Sequence, residues 1–214
     1  TDYSLLGVQW SNAGGNQLSA TWDSLRASGP SSQRFNSVSS PLFLSRNSDY
    51  VIPVFKSCFI RPGTSCAGDK LGEANLSGAN LSDMDFTGAN LQRARLAGAT
   101  LNNTNFTDAF LKRAVFSGAT GANTQLGARS LADANFSRVR LENPKATGTS
   151  FLRSNWTKAY VEKGDFSSSN FYKSNFEGAS IKNTDMRATK LRGTSWKGAT
   201  VSGSDFKGAV GNKP

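Results

Sequence analysis

An apolar residue recurs at every fifth position of this chain, from Leu71 to Phe206, without a slip. The series contains 28 consecutive units, and only Gly121 and Ala146 lack a large side chain at the central position. A period of five matches neither the 3.6 of a helix nor the 2 of a strand, so the chain must turn a corner within every unit. The period therefore predicts a coil whose sides are five residues long.

A second position in each unit is also restricted in size. A small residue lies two positions before the central residue in 23 of the 28 units, as in Ala74-Asn75-Leu76 and Ala134-Asn135-Phe136. The resulting motif is A(N/D)(L/F)xx. One large and one small residue point inward in each unit, and the three remaining residues are mostly polar.

The segment from Leu71 to Phe206, nearly two thirds of the chain, resembles the pentapeptide repeat family. The resemblance implies an all-β fold, a right-handed quadrilateral β-helix in which four units form one coil of about 20 residues. The 28 units would then form seven coils and span about 35 Å.

The coil of four units predicts four faces, each of which contains every twentieth residue. Face 1 holds Leu76, Leu96, Phe116, Phe136, Trp156, Phe176 and Trp196. Face 2 holds Leu81, Leu101, Gly121, Leu141, Val161, Ile181 and Val201. Face 3 holds Phe86, Phe106, Leu126, Ala146, Phe166, Met186 and Phe206. Face 4 holds Leu71, Leu91, Leu111, Leu131, Phe151, Phe171 and Leu191. Face 2 is never aromatic and face 3 is mostly so, which is expected if like side chains stack along the axis. These residues are interpreted as core, not as a ligand site.

Four irregular positions fall within two coils. Gly121 and Ala146 occupy central positions, and Arg129 and Pro144 occupy small-residue positions. Two interpretations remain open for this stretch. Either it forms a bulge or small cavity with Arg129 turned outward, or the solenoid bends there for a partner.

Residues 1–68 lack the period and form a different unit, whereas residues 69–214 form the predicted β-helix. The first segment is predicted to be mostly irregular, with a strand over Tyr50–Phe55 and one helical turn at 22–25, and to cover the first coil. Cys58 and Cys66 flank the turn-forming Arg61-Pro62-Gly63. Their spacing and even number predict a disulfide bond, with two reduced buried cysteines as the alternative.

The C-terminal end of the repeat has little to cover it. Only a short polar tail follows the last central residue, so a bare β-edge is expected to pair with another copy, tail to tail or head to tail. The alternative is that the tail folds over the end. The residues predicted to form this self-association end are Trp196, Val201, Phe206 and Val210.

The formal net charge of the chain is +10, and basic residues concentrate on one side. Outward positions of face 4 form a predicted basic column that contains Arg93, Lys112, Arg113, Arg153, Lys173, Lys190 and Arg192, and that Asp133 interrupts. Face 3 instead carries mainly Asp. The column is interpreted either as a site for an anionic polymer or surface, or as a solvated face that keeps the protein soluble. The outward aromatics Phe110, Tyr160 and Tyr172 are too scattered for single-stranded nucleic acid.

The composition excludes most metal and triad chemistry, because there is no histidine and only two cysteines. We therefore expect no cofactor, no metal site and no catalysis. No apolar run reaches the roughly 20 residues of a membrane span. The chain begins at Thr1 without an initiator Met, as an exported protein does after a targeting segment is removed, and as a shortened chain also does.

Three functions follow from these features. The first is a non-enzymatic structural or scaffolding protein of an extracytoplasmic space that self-associates, as a dimer or filament, or docks to a larger assembly. The second is a module whose basic face binds an anionic polymer or surface. The third comes from the resemblance, since some pentapeptide repeat proteins imitate a DNA duplex and act on DNA gyrase. That mimicry requires an acidic surface, whereas this chain is basic.

Overall fold

The computed structural model describes residues 8–10, 18–20, 42–46, 50–55 and 58–214, the first four ranges as backbone only. The chain divides into two compact units, Thr1–Ile60 and Arg61–Pro214. The described residues contain strands and turns but no helix. They also contain no helix long and apolar enough to cross a membrane.

The described residues of the first unit form five short antiparallel strands. Strand β1 (Val8–Trp10) pairs with β2 (Leu18–Ala20). Strand β4 (Tyr50–Phe55) pairs with both β3 (Leu42–Arg46) and β5 (Cys58–Phe59). The strand predicted over Tyr50–Phe55 is thus confirmed. The predicted helical turn at 22–25 and most of the predicted cap over residues 1–68 lie outside the described residues.

The second unit is a β-solenoid with parallel strands, as the repeat predicts. Strands β6 (Thr120–Ala122), β7 (Arg140–Glu142), β8 (Tyr160–Glu162), β9 (Ser180–Lys182) and β11 (Thr200–Ser202) form a parallel sheet on face 2. Strand β10 (Lys190–Leu191) pairs in parallel with β12 (Val210–Gly211) on face 4. Every pairing joins residues 20 apart, such as Val161 with Ile181. Four units therefore form one coil.

The extent of regular strand differs slightly from the predicted seven coils. On face 2, strands occupy five coils, and single bridges such as Asn80 with Thr100 continue the same register toward the N-terminus. The register also holds at Ser65, which bridges Asp85 and lies before residue 69. Coils joined by single bridges have the same pairing without extended strand.

A turn of one kind closes most units. The N–H of the small residue donates to the carbonyl of the preceding central residue, as from Ala74 to Leu71 at 3.1 Å. The residue just before the small one has a left-handed backbone, with φ between 49° and 77°, in every unit from Gly63 to Gly208 except at Ala128. Its N–H donates to the next coil, as from Glu73 to the Gln92 carbonyl at 2.8 Å. Non-glycine residues thus occupy this costly conformation where a hydrogen bond between coils fixes it.

The motif's preference for Asn or Asp before the central residue also has a local cause. The side-chain Oδ1 accepts a hydrogen bond from the backbone N–H two residues on. Asn75 accepts from Ser77 at 3.2 Å, and Asp165 accepts from Ser167 at 3.0 Å. This is the turn for which these two side chains are suited.

The core consists of stacked columns of central residues. On face 1, the Phe136 ring stacks on Phe116 at 4.7 Å and on Trp156 at 4.2 Å between centroids. Small polar residues beside these columns turn their hydroxyl groups to the coil below, as Thr104 Oγ1 donates to the Leu81 carbonyl at 2.8 Å. No buried side-chain nitrogen or oxygen among the described residues lacks a hydrogen-bond partner.

The corner after face 2 changes along the solenoid. Met84 and Thr104 close this corner by donating to the carbonyls of Leu81 and Leu101. From β6 onward, a strand continues into this corner. Within the described solenoid, no N–H in these later corners donates to the carbonyl of the central residue three positions before it. Gly121 lies at the change, where a Cβ would be 2.9 Å from the Leu101 Cβ. Pro144 lies in an extended corner. Because such a corner has no closing hydrogen bond, the N–H that proline lacks is not needed there.

The unit Leu126–Ser130 departs from the repeat. Ala128 is buried in place of the small residue, and its N–H donates to the Leu126 carbonyl at 2.6 Å. Arg129 turns outward, with 60% of its side chain exposed. A local bulge thus accommodates Arg129, as the first interpretation of the irregular stretch predicts.

Candidate interaction surfaces

The basic column on face 4 is partly neutralised by acidic neighbours one coil away. Arg93 pairs with Glu73, with Nη1 at 3.0 Å from Oε1. Arg153 donates from Nε and Nη2 to the two carboxylate oxygens of Asp133, at 2.7 and 2.9 Å. Two of the seven predicted polyanion-binding residues are therefore engaged within the protein.

Several of these cations lower the pKa of Asp133. The hydrogen bond from Arg153 lowers the pKa of Asp133, and the charges of Arg153, Arg113 and Lys112 lower it further against a smaller opposing effect of burial. The same pair raises the pKa of Arg153. Asp133 is thus ionised at neutral pH and divides the basic column into two clusters.

The other five predicted residues differ from Arg93 and Arg153 in having no ion-pair partner in the described part of the chain. Among the described residues, no carboxylate forms an ion pair with Lys112, Arg113, Lys173, Lys190 or Arg192. Lys173 Nζ lies 5.3 Å from the centroid of the Tyr172 ring. Lys112 and Arg113 form the N-terminal cluster, and Lys173, Lys190 and Arg192 form the C-terminal one.

A shallow groove runs along face 4 at the C-terminal cluster. Its volume is about 540 Å³, and it is lined by Leu152, Asn170, Tyr172, Lys190, Arg192, Val210 and Gly211. Lys190 and Arg192 flank the buried Leu191 in the sequence, and both side chains are exposed and line the groove. The groove therefore combines an apolar wall with two cations, which suits an anionic group attached to an apolar body.

The last coil is open on its C-terminal side. Trp196, Val201 and Phe206 are half-buried, whereas the large central residues of the preceding coils are buried. Within the described residues, the N–H groups of Trp196, Gly198, Phe206 and Gly208 donate to no backbone carbonyl. Earlier equivalents do so, as from Gly178 to Lys197 at 2.9 Å. The predicted self-association end thus presents both apolar surface and unpaired donors.

The C-terminal tail covers one corner of this end. The Asn212 side chain accepts from the Gly193 N–H at 2.7 Å, and its carbonyl accepts from Trp196 Nε1 at 2.7 Å. Val210 nevertheless remains 60% exposed. A second groove of about 370 Å³ lies beside Val201, Phe206 and Pro214. The tail therefore caps part of the last coil and leaves the rest accessible.

The carboxylates of face 3 serve their own turns. Burial raises the pKa of Asp165, but hydrogen bonds from Ser167 and Thr147 outweigh that effect and the net pKa is lowered. A hydrogen bond from Arg187 lowers the pKa of Asp185. Both groups are ionised at neutral pH, so neither has the raised pKa of a general acid.

The two cysteines, Cys58 and Cys66, are joined by a disulfide bond, which confirms that prediction. Sequence reasoning missed Glu73 as the partner of Arg93 and Asn212 as a cap. The first was detectable, because Glu73 lies 20 residues before Arg93 in the same column. The second depends on how the tail folds, and nothing in the repeat predicts it.

Comparison with known proteins identifies the repeat. The pattern of the pentapeptide repeat family matches eight copies over residues 70–103, 94–126, 134–171 and 157–187, more than half of the chain. The matched ranges omit residues 127–133, which include most of the irregular unit. No curated protein matches the chain.

The solved structures that match include two pentapeptide repeat proteins and a fluoroquinolone resistance protein. HetL, involved in heterocyst differentiation regulation in the cyanobacterium Nostoc, is 22% identical, with 69% of this chain and 76% of HetL covered and a TM-score of 0.33. QnrB1, a plasmid-mediated fluoroquinolone resistance protein, is 15% identical, with 70% and 88% covered and a TM-score of 0.39. A protein of the Arabidopsis thaliana thylakoid lumen is 23% identical, with 60% and 71% covered and a TM-score of 0.27. The repeat, its 20-residue register and the family match together establish that this chain belongs to the pentapeptide repeat family.

Proposed function

We propose that this protein is a non-enzymatic scaffold of an extracytoplasmic space, and that it self-associates or docks to a larger assembly through the open C-terminal end of its solenoid. The observation that carries the proposal is the last coil. Its central residues Trp196, Val201 and Phe206 are half-buried, and N–H groups beside them have no backbone acceptor.

An open coil is a template for further pairing. A second copy or a strand of another protein, stacked at about 4.8 Å, would supply carbonyl acceptors and cover the exposed rings. The exposed Val210 on β12 lies at the same end. Self-association in a closed arrangement gives a dimer, and head-to-tail stacking gives a filament.

The disulfide supports an oxidising compartment. Structural disulfides persist outside the cytosol and are rare within it. Cys58 and Cys66 are both buried as well as bonded. The proposal therefore includes a secreted, cell-surface, periplasmic or organelle-lumen location.

The test is the mass of the non-reduced protein by light scattering over a range of concentrations. We expect the wild-type mass to rise with concentration. Val210→Glu should suppress this rise, because a carboxylate buried at the contact lacks a partner. Thr120→Glu is the matched control, since it adds the same charge at an exposed position of β6 in the middle of the solenoid. A strict monomer at every concentration would overturn self-association.

A second function is favoured by the uncompensated cations. The basic face would hold an anionic polymer or surface, with Lys190 and Arg192 at the groove as its strongest point. Binding to alginate or to vesicles with anionic lipid should weaken with salt. The variant Lys190→Ser/Arg192→Ser should weaken it, and Lys163→Asn on face 2, where Asn143 and Asn183 occupy equivalent positions, should not. Equal binding by both variants would overturn this function.

A further inference from the structure

The irregular unit Leu126–Ser130 places a cation against an exposed aromatic ring. The Arg129 guanidinium lies 5.3 Å from the centroid of the Phe110 ring, in cation–π geometry. Phe110 is 36% exposed and occupies an outward position that is polar in most units. In the described solenoid, Phe110 and Val210 are the two exposed large apolar side chains. The bulge thus builds a surface feature that a regular unit lacks.

The surroundings of this ring are basic. Lys112 and Arg113 follow Phe110 in the chain and have no carboxylate partner among the described residues. Arg129 lies 3.8 Å from Asp108, at the outer limit of an ion pair. Asp133 lies near Lys112 and Arg113 but accepts hydrogen bonds from Nε and Nη2 of Arg153. This region therefore contains four cations and two carboxylates, which leaves a net charge of +2. The cations are Lys112, Arg113, Arg129 and Arg153, and the carboxylates are Asp108 and Asp133.

We propose that Phe110, Lys112, Arg113 and Arg129, here called the Phe110 patch, form a docking surface for an acidic protein segment with apolar side chains between its carboxylates. An aromatic ring flanked by arginine is the composition of an interface hot spot. The surrounding positive charge selects an acidic partner by complementarity. The patch lies on interior coils, so it is independent of the open C-terminal end.

A protein segment suits the patch better than a nucleic acid does. Base stacking needs a row of rings with free faces. Phe110 is a single ring, and Arg129 already covers one of its faces. Carboxylates, in contrast, fit the forked donors of Arg113 and Arg129.

The repeat itself provides substitutions that keep the fold. Arg129→Ala restores the small residue that most units have at this position, so the unfolding temperature should stay equal or rise. Arg113→Gly places glycine at a left-handed position with φ 62°. Arg138→Gly is its matched control, because Arg138 has φ 56° at the equivalent position of face 1.

The probe is a short fluorescent peptide that alternates Glu with Phe, titrated with the full chain and followed by anisotropy. We expect binding that weakens with salt. Arg129→Ala and Arg113→Gly should each weaken it about tenfold, the loss of one charge-assisted contact, while Arg138→Gly binds as wild type does. The same peptide with Lys in place of Glu should not bind.

Two results would overturn the proposal. One is the absence of binding to the wild type, or equal binding by wild type, Arg129→Ala and Arg113→Gly. The other is tighter binding of single-stranded DNA of matched charge than of the acidic peptide. Val210→Glu changes self-association at the C-terminal end and should leave peptide binding at the Phe110 patch unchanged. The two surfaces are therefore tested separately.

Discussion

Trp156 and Trp196 occupy the same column of face 1, two coils apart, and differ in what lies above them. Trp156 is fully buried and stacks between Phe136 and Phe176, at 4.2 and 5.6 Å. Trp196 stacks on Phe176 at 4.4 Å, and within the described residues no second ring stacks on its other face. The repeat gives both residues the same inward position, but a neighbour on each side is what completes burial. The last coil of the described solenoid therefore lacks part of the packing that stabilises its interior.

The largest expected effect comes from truncating these two residues. Trp156→Ala removes a ring packed on both sides and should lower the free energy of unfolding by about 3–5 kcal/mol. Trp196→Ala should lower it by roughly half as much, because its ring is already partly exposed. Chemical denaturation at low protein concentration measures both. Equal losses would mean that the last coil is covered after all.

A smaller effect tests how tightly interior coils stack. Gly121→Ala would place a Cβ 2.5 Å from Thr124 Oγ1 in its own corner and 2.9 Å from the Leu101 Cβ of the preceding coil. We expect a loss of about 1–3 kcal/mol from this overpacking. Gly127→Ala is the control, since a Cβ there meets nothing within 4 Å. If both variants unfold alike, the close approach at Gly121 does not constrain the fold.

The smallest effect concerns the ion pair that links two interior coils. The pKa of Asp133 is lowered from 3.8, so its contribution to stability is present above that value and is lost as the pH falls through the lower folded-state pKa. Asp133→Asn removes this contribution and still suits the left-handed backbone at φ 59°. The unfolding temperature should therefore fall less steeply between neutral and acidic pH for the variant than for the wild type. Identical slopes would show that the pair contributes nothing measurable.

The sequence was sufficient for the solenoid and its register, because the period of five residues holds from Leu71 to Phe206 and all but two of the units have a large central residue. It did not predict the two kinds of corner on face 2, since Leu101 and Leu141 are the same residue in different turns. That choice depends on contacts with the next coil. Gly121 lies where the corner changes from the closed to the extended kind. A glycine in the sequence shows that a side chain is absent, but it does not predict which kind of corner follows.

Surface contacts were the least predictable part. The sequence placed Arg93, Arg113, Arg153 and Lys173 in one column but did not show which of them are neutralised. Ion pairs across coils depend on the direction of long side chains, which the repeat leaves free. The outward turn of Arg129 was one of two open interpretations, and its contact with Phe110 was not anticipated.

In our proposal, the C-terminal coil of the described solenoid is exposed and becomes covered when the protein associates. Amide hydrogen exchange as a function of protein concentration tests it most directly. At low concentration, the N–H groups of Gly198, Phe206 and Gly208 should exchange rapidly, while Gly178, Met186 and Ala188, which donate to the last coil at 2.8–2.9 Å, stay protected. Raising the concentration should protect the first group. Rapid exchange of the first group at every concentration, with a constant mass, would contradict the claim.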